Sequence, residues 1–280
     1  MSQKSVLITG CSSGIGQALA KEFKSQGLRV FATARKAESI SDLASQGIET
    51  LSLEVNSVEN IKAVKEEIAS RTGGTLDYLV NNAGRNYTVP ATDVDIDEIR
   101  ETFETNLFSV MMLCQAFAPL LIKAKGTIVQ IGSLAGKMPY AFGSVYGASK
   151  AALHSYSDAL RLELAPFDVR VVTIVTGGVI SNISRTHRTL AEGSLYAPLA
   201  KAYEERQTHS QANGIPNEQY AASVVRQVLT RPSKDTIWEG GKSWLVWFIS
   251  SFFPRKVMDI AMTRMFSLNK LRQESSKKLD

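Results

Sequence analysis

The sequence predicts an α/β fold, a Rossmann-type doubly wound parallel sheet in a single domain, with an aromatic, amphipathic C-terminal tail. Three observations predict it. A glycine-rich turn joins an apolar run to a helical pattern near the N-terminus, and short continuous apolar runs then alternate with helical periodicity. The 280 residues are 44% hydrophobic, enough to bury one full core, and no repeat or low-complexity segment divides them.

Residues 6–8 read as a buried strand, and Ala18, Leu19 and Phe23 share one face of the helix that follows. Between them Gly10, Gly14 and Gly16 let the backbone turn sharply and approach a pyrophosphate. The amides at the helix start would hold that anion. Further strands fall at 29–34, 49–55, 76–81, 126–131 and 169–175, separated by helical patterns that include 58–70, 96–123 and 145–164. Continuous apolar strands in this alternation mean a parallel sheet covered on both faces. Residues 181–216 are polar, aperiodic and long for a connection, which marks a substrate lid. The domain is thus expected over residues 1–235 and the tail over 236–280.

Composition narrows the function. The net charge of +5 is modest, and no stripe of Lys and Arg interleaved with aromatics appears in the body, which argues against nucleic acid. Cys11 and Cys114 make no disulfide framework and suit a reducing compartment. The first strand begins almost at once, leaving no room for a cleaved signal peptide. His154, His187 and His209 lack metal-ligand spacing; no metal is expected, and these are read as surface or packing residues.

The chemistry centres on Tyr146 and Lys150, four apart and therefore on one helix face, downstream of Ser133 at the end of a strand. A phenol with a reference pKa of about 10 is a poor proton donor at neutral pH, and a neighbouring ammonium lowers that value. At the end of the second strand stands Arg35, with no acid beside it. An acid there would bind the ribose 2′-hydroxyl of NAD; a guanidinium accommodates the 2′-phosphate of NADP, with Ser12 as a second contact. A competing reading takes Gly10-Cys11-Ser12-Ser13-Gly14 as Gly-x-Ser-x-Gly, the nucleophile elbow of a lipid ester hydrolase, which requires an acid and a histidine beside Ser12.

In order and register, these motifs resemble the short-chain dehydrogenase/reductase family over roughly residues 4–235. The resemblance implies that Gly10, Ser12, Ser13, Gly14, Ile15 and Gly16 form the cofactor turn. It also implies that Asn82, Ala83 and Gly84 lie against the cofactor after the fourth strand, and that Glu54 and Val55 meet the adenine where the family usually has Asp. Gly177, Val179 and Ser181 would follow the sixth strand at the nicotinamide. There Thr176-Gly177 replaces the usual Pro-Gly, a loss expected to loosen the turn. By the same resemblance Tyr146 protonates a carbonyl oxygen and Ser133 hydrogen-bonds it. Lys150 lowers the tyrosine pKa and holds the nicotinamide ribose, and Asn106 holds a water that links Lys150 to solvent. A homodimer or homotetramer through the helices that hold Cys114 and Tyr146 is also implied.

Residues 117–129, 132–136 and 166–171, with Thr176-Gly-Gly-Val179, are similar to the fungal 1-acyldihydroxyacetone-phosphate reductases. That narrower resemblance implies NADPH-dependent reduction of a lysolipid-phosphate ketone to lysophosphatidate; related enzymes accept steroids, retinoids or varied ketones. Arg185, His187 and Arg188 in the lid would suit a substrate phosphate. Residues 243–254 are apolar and aromatic between Lys242 and Arg255-Lys256, and far shorter than the ~20 residues of a membrane-spanning helix. With the helical pattern of 257–271 they fit a segment lying in a membrane interface, or one packed on protein. The membrane reading places the chain at the cytoplasmic face of the endoplasmic reticulum or on a lipid droplet.

Overall fold

β1 (Ser5–Ile8), with all four residues buried, is the strand from which the sheet extends in both directions. In the computed structural model, which describes residues 3–181, 186–212, 214–230 and 234–271, β2 (Arg29–Ala34) lies on one side of β1 and β4 (Tyr78–Asn81) on the other. β3 (Glu49–Ser52) borders β2, while β5 (Thr127–Ile131), β6 (Arg170–Thr176) and β7 (Thr236–Glu239) continue beyond β4. The order is β3-β2-β1-β4-β5-β6-β7, every pair parallel. The winding reverses between β1 and β4, which opens a crevice at the carboxyl ends of these strands.

Each face is covered. α1 (Gly14–Ser25) and α8 (Asn217–Leu229) bury Leu19, Phe23, Val224 and Val228 with Val6, Ile8 and Ile237 of the sheet. On the opposite face α3 (Val58–Thr72), α5 (Ser109–Ala124) and α6 (Ser144–Leu164) pack Ile68, Phe117 and Leu153 against Leu7, Leu79 and Ile128. The short α2 (Ser41–Ala44) precedes β3, and α4 (Ile96–Phe103) runs through a π turn, Glu104–Phe108, into α5. Residues 96–124 are long and apolar enough to cross a membrane, but Leu113, Phe117 and Leu121 are packed on the sheet. Cys11 and Cys114 are free and buried on opposite faces.

Most strands match the sequence expectation to within a residue at either end, and three differ by more. The third strand ends at Ser52, because Glu54 N–H turns onto the Asn60 side chain, which leaves Glu54 and Val55 at the crevice. The fourth starts at Tyr78 rather than 76. Residues 236–239, assigned to the tail by sequence, form β7 of the sheet. Only Ile237 of that strand is buried, so no apolar run announced it.

The turn after β6 is not loosened by the missing proline. Gly177 N–H donates to Glu239 O at 2.7 Å, Gly178 N–H to Gly241 O at 3.0 Å, and Gly241 N–H returns to Gly178 O at 2.8 Å. The Thr176 hydroxyl shares a 2.7 Å hydrogen bond with the buried Tyr220 phenol. A side-chain bond replaces the rigidity that a proline ring would supply.

Beyond the sheet, α7 (Ala200–Ala212) belongs to the stretch read as a lid, and α9 (Ser243–Phe252) and α10 (Arg255–Met265) form the tail. Leu199 and Tyr203 join Phe142, Val246, Met258, Met262 and Phe266 in one cluster. Phe142 stands edge-on to Tyr196 and Tyr203, each 5.5 Å away between ring centres. Lid and tail therefore close over the same loop.

Tyr220→Phe leaves the buried Thr176 hydroxyl without its strong partner, and the expected cost is about 1–2 kcal/mol in urea unfolding. Adding Thr176→Val should recover part of that loss; purely additive losses would show that the bond contributes nothing.

Candidate active site

The glycine turn is held by atoms that a side chain would displace. A Cβ on Gly16 would stand 2.3 Å from Gly10 O and 2.4 Å from Asn82 Nδ2, and one on Gly10, already at φ 72°, would stand 2.8 Å from Ala83 Cα. Thr9 Oγ1 accepts from the backbone N–H groups of Asn82 and Ala83, both at 3.0 Å, and Asn82 Nδ2 donates to Thr9 O and Gly10 O. The turn and the segment after β4 thus meet backbone to backbone. At the start of α1, Ser13 makes no side-chain cap and the first turn carries no acid, so its amide groups are open to an anion. This cradle fits a dinucleotide pyrophosphate.

A cleft of about 650 Å³ opens above the turn. Its wall includes Ser12, Ser13, Gly14 and Ile15 from the turn, Arg35 after β2, Glu54 and Val55 after β3, Asn82, Ala83 and Gly84 after β4, and Ser181 after β6. Gly177 and Val179, expected at the nicotinamide, are not on that wall. Gly177 is bonded to the end of β7, and Val179 pairs with Ile215. Arg188 does line the cleft, but its guanidinium pairs with Glu98 at 3.0 Å and lies over the Tyr87 ring. Glu98 also holds Arg85, so this charge is already matched. His187 is exposed, and Arg185 lies outside the described residues.

From the cleft a hydrogen-bonded path leads to α6. Asn106, fully buried in the π turn, accepts from Arg85 N–H at 2.8 Å and donates to Arg85 O and Ser149 Oγ, both at 3.0 Å. A π turn adds one residue to the helix and often marks a functional position. The side chain of Asn106 thus ties the segment after Gly84 to α6, the helix of Tyr146 and Lys150.

Ser133 begins a 3-10 turn, Leu134–Gly136, and its hydroxyl is hydrogen-bonded to the Tyr146 phenol. Burial pushes the Tyr146 pKa up; the Ser133 bond and the charge of Arg206, on α7, act against that rise. Lys150 plays a different part from the one its spacing implied. Its ammonium donates to Ile131 O at 2.9 Å, and it is Arg206 that acts electrostatically on the phenol. Both residues stand on α6, one turn apart, and the carbonyl at the end of β5 takes the amine. Burial pulls the Lys150 pKa down to about 8. Arg206 had no signal in the sequence, being one of several charges in a polar stretch.

His154 is a packing residue, as expected. Gly132 and Gly136 make room for its ring, Ser133 N–H donates to its Nε2 at 3.3 Å, and burial holds its pKa down to about 3, so it stays neutral. The hydrolase reading needs a histidine beside Ser12, whereas this buried one is committed to Ser133. Cys11, next to Ser12, is inert: burial raises its thiol to about 12.

Ser133, Tyr146 and Lys150 are not on the cleft wall, but a dinucleotide crevice at a sheet switch point, tied through Asn106 to the helix that carries a buried phenol and amine, fits an oxidoreductase that works on a hydroxyl or carbonyl carbon. Residues 4–191 match the family described as short chain dehydrogenase, and the chain belongs to it. It is 42% identical over 281 residues to the short-chain dehydrogenase fogD of Aspergillus ruber, covering 99% of this chain and 98% of that one. It is 41% identical over 236 residues to the NADPH-dependent 1-acyldihydroxyacetone phosphate reductase of Schizosaccharomyces pombe, covering 82% and 79%. A crystal structure of a short-chain dehydrogenase from Streptomyces avermitilis superposes with a TM-score of 0.79 at 28% identity, over 98% of each chain.

The position of Lys150 sets a pH dependence. Its charged form is present below about 8 and lost above, so kcat/KM for carbonyl reduction should fall as pH rises through that value. A profile that stays flat well into the alkaline range would show that this ammonium is not needed.

Proposed function

We propose that this chain uses NADPH to reduce the ketone of a lysolipid phosphate, converting 1-acyldihydroxyacetone phosphate to 1-acylglycerol 3-phosphate. The cofactor is NADP(H), and Arg35 at the cleft wall is the residue suited to its 2′-phosphate. The observation that carries the reading is the buried phenol of Tyr146, where the Ser133 hydroxyl and the charge of Arg206 act against the rise that burial imposes. When bound, the nicotinamide supplies hydride to the carbonyl carbon. Tyr146 gives its proton to the carbonyl oxygen, and Ser133 donates a hydrogen bond to the same oxygen as charge develops there. Lys150, seated on Ile131 O, supplies a nearby positive charge.

Two features support a lipid-like ketone. The Schizosaccharomyces pombe relative carries that activity in its name, although others are named only as short-chain dehydrogenases. α9 also presents Trp244, Trp247, Phe248 and Phe252 to solvent, with Trp244 at 68% and Phe252 at 65% exposure. These rings pack on one another, Trp247 edge-on to Phe252 at 5.9 Å, just before Arg255 and Lys256. The inner side of the tail buries Val246, Met258 and Met262 on the body, so one helix pair both packs on protein and offers an aromatic outer face. In our reading that face lies in the interface of an endoplasmic-reticulum or lipid-droplet surface, cations toward the headgroups.

Purified enzyme should oxidise NADPH faster with 1-acyldihydroxyacetone phosphate than with steroid or simple ketones. Tyr146→Phe should slow that turnover about a hundredfold or more while NADPH still binds. A preference for a neutral ketone over the lysolipid would reject the substrate, and near-normal turnover by the variant would reject the mechanism. Replacing Trp244, Trp247 and Phe252 together by Ser should weaken flotation with anionic liposomes about tenfold or more, given three interfacial aromatics lost. Undiminished flotation would remove the tail from the membrane.

A further inference from the structure

Arg206 is an interior cation. Although α7 is polar along its length, this side chain is only 5% exposed. Its guanidinium lies over the Tyr140 ring, 3.9 Å from the ring centre, and its Nε–H donates to Ala141 O at 3.3 Å. Those contacts orient the planar group without supplying negative charge. Among the described residues no carboxylate forms an ion pair with it, whereas Arg85 and Arg188 share Glu98. Desolvation presses its pKa down, yet a guanidinium keeps its proton in protein interiors. A buried cation without a counter-ion is costly, and such groups are normally paired.

Its surroundings say where the missing charge would come from. Nη2 would stand 3.0 Å from a Cβ on Gly143, so the terminal edge of the fork occupies ground that a larger residue at that position would take. Gly143 immediately precedes α6, three residues before Tyr146, and the phenol of Tyr146 feels the charge of Arg206. The unpaired fork therefore lies beside the start of α6, at the end of the site where Tyr146 stands.

We propose that Arg206 binds an anionic group of the substrate, a phosphate or a carboxylate, and thereby selects charged ketones over neutral ones. This rests on the reading of the chain as a ketone reductase and names the residue that recognises the substrate's charge. A guanidinium held by its Nε edge and ring face leaves its Nη groups to meet a phosphate or carboxylate in bidentate fashion. The substrate then completes an ion pair that the folded protein leaves half made. Because Arg206 is carried by α7, the same bond would tie that helix to the bound substrate.

The test uses two matched pairs of ketones: 1-acyldihydroxyacetone phosphate with its dephosphorylated form, and a medium-chain oxo acid with its methyl ester. Full-length wild type, Arg206→Met and Arg206→Lys are compared, with NADPH binding and thermal melting checked on the same preparations. In Arg206→Met the ratio of kcat/KM for the anionic over the neutral member should fall about thirtyfold, chiefly through KM, the scale of a charge-assisted hydrogen-bond pair. Arg206→Lys should keep part of the preference, and if the Met variant does not fold, a fall of about fivefold in the Lys variant carries the result, since the charge remains but the fork is lost. An unchanged ratio, with both members slowed alike, overturns the proposal. Turnover of the lysolipid phosphate with a ratio indifferent to Arg206 would do so while sparing the proposed function. A shift confined to the oxo-acid pair, with no turnover of the lysolipid phosphate, would reject that function and keep the assignment of Arg206. If neither pair is reduced, dodecyl phosphate binding to the NADP-loaded enzyme decides: equal affinity in wild type and variant overturns the proposal, and about tenfold weaker binding in the variant supports it.

Discussion

The close approach of the glycine turn to the segment after β4 is the constraint on which the rest of the site depends. Two backbones touch there because Gly10 and Gly16 have no side chains, and Thr9 and Asn82 tie them with four hydrogen bonds. The consequence travels. Ala83 and Gly84 are set against the cleft, Arg85 is fixed by Asn106, Asn106 reaches Ser149, and the Ser149 hydroxyl donates to Tyr146 O at 2.8 Å. The cofactor cradle and the catalytic helix, more than a hundred residues apart in the chain, are thereby parts of one hydrogen-bonded framework. Preorganisation of this kind is what positions a proton donor against a hydride acceptor.

Burial governs the chemistry of the groups at the end of that framework. It raises the phenol of Tyr146, lowers the amine of Lys150 and keeps His154 neutral. Among charged neighbours it is Arg206 that bears on the phenol, so α7 contributes to the electrostatics of the site.

The aromatic cluster around Phe142 gives lid and tail a common base. Tyr196 and Tyr203 from the lid and Phe266 from the tail surround one ring, and Tyr203 also donates to Thr88 O at 2.9 Å. This cluster orients α9 so that its inner residues are buried while its tryptophans face outward. The exposed aromatic face of α9 and the start of α6 are thereby connected through Phe142, which stands beside Gly143.

Much of this was legible in the sequence, and for a local reason. Continuous apolar runs and helical periodicity reflect burial within single elements, so the parallel sheet, the glycine turn and the Ser133, Tyr146 and Lys150 set were all apparent. β7 escaped because an edge strand with one buried residue, Ile237, leaves no pattern. The firmness of the Thr176 turn depends on Tyr220, forty-four residues away, which no local rule connects to it. Spacing placed Lys150 on the face of Tyr146, but only the fold shows its amine on Ile131 O. Arg206 is the clearest case. The sequence by itself determined the nucleotide-binding sheet and the candidate set of Ser133, Tyr146 and Lys150, because both rest on backbone geometry and short spacings. The tertiary structure alone decided which of many surface-like cations is buried beside the phenol, because burial is a property of distant segments meeting.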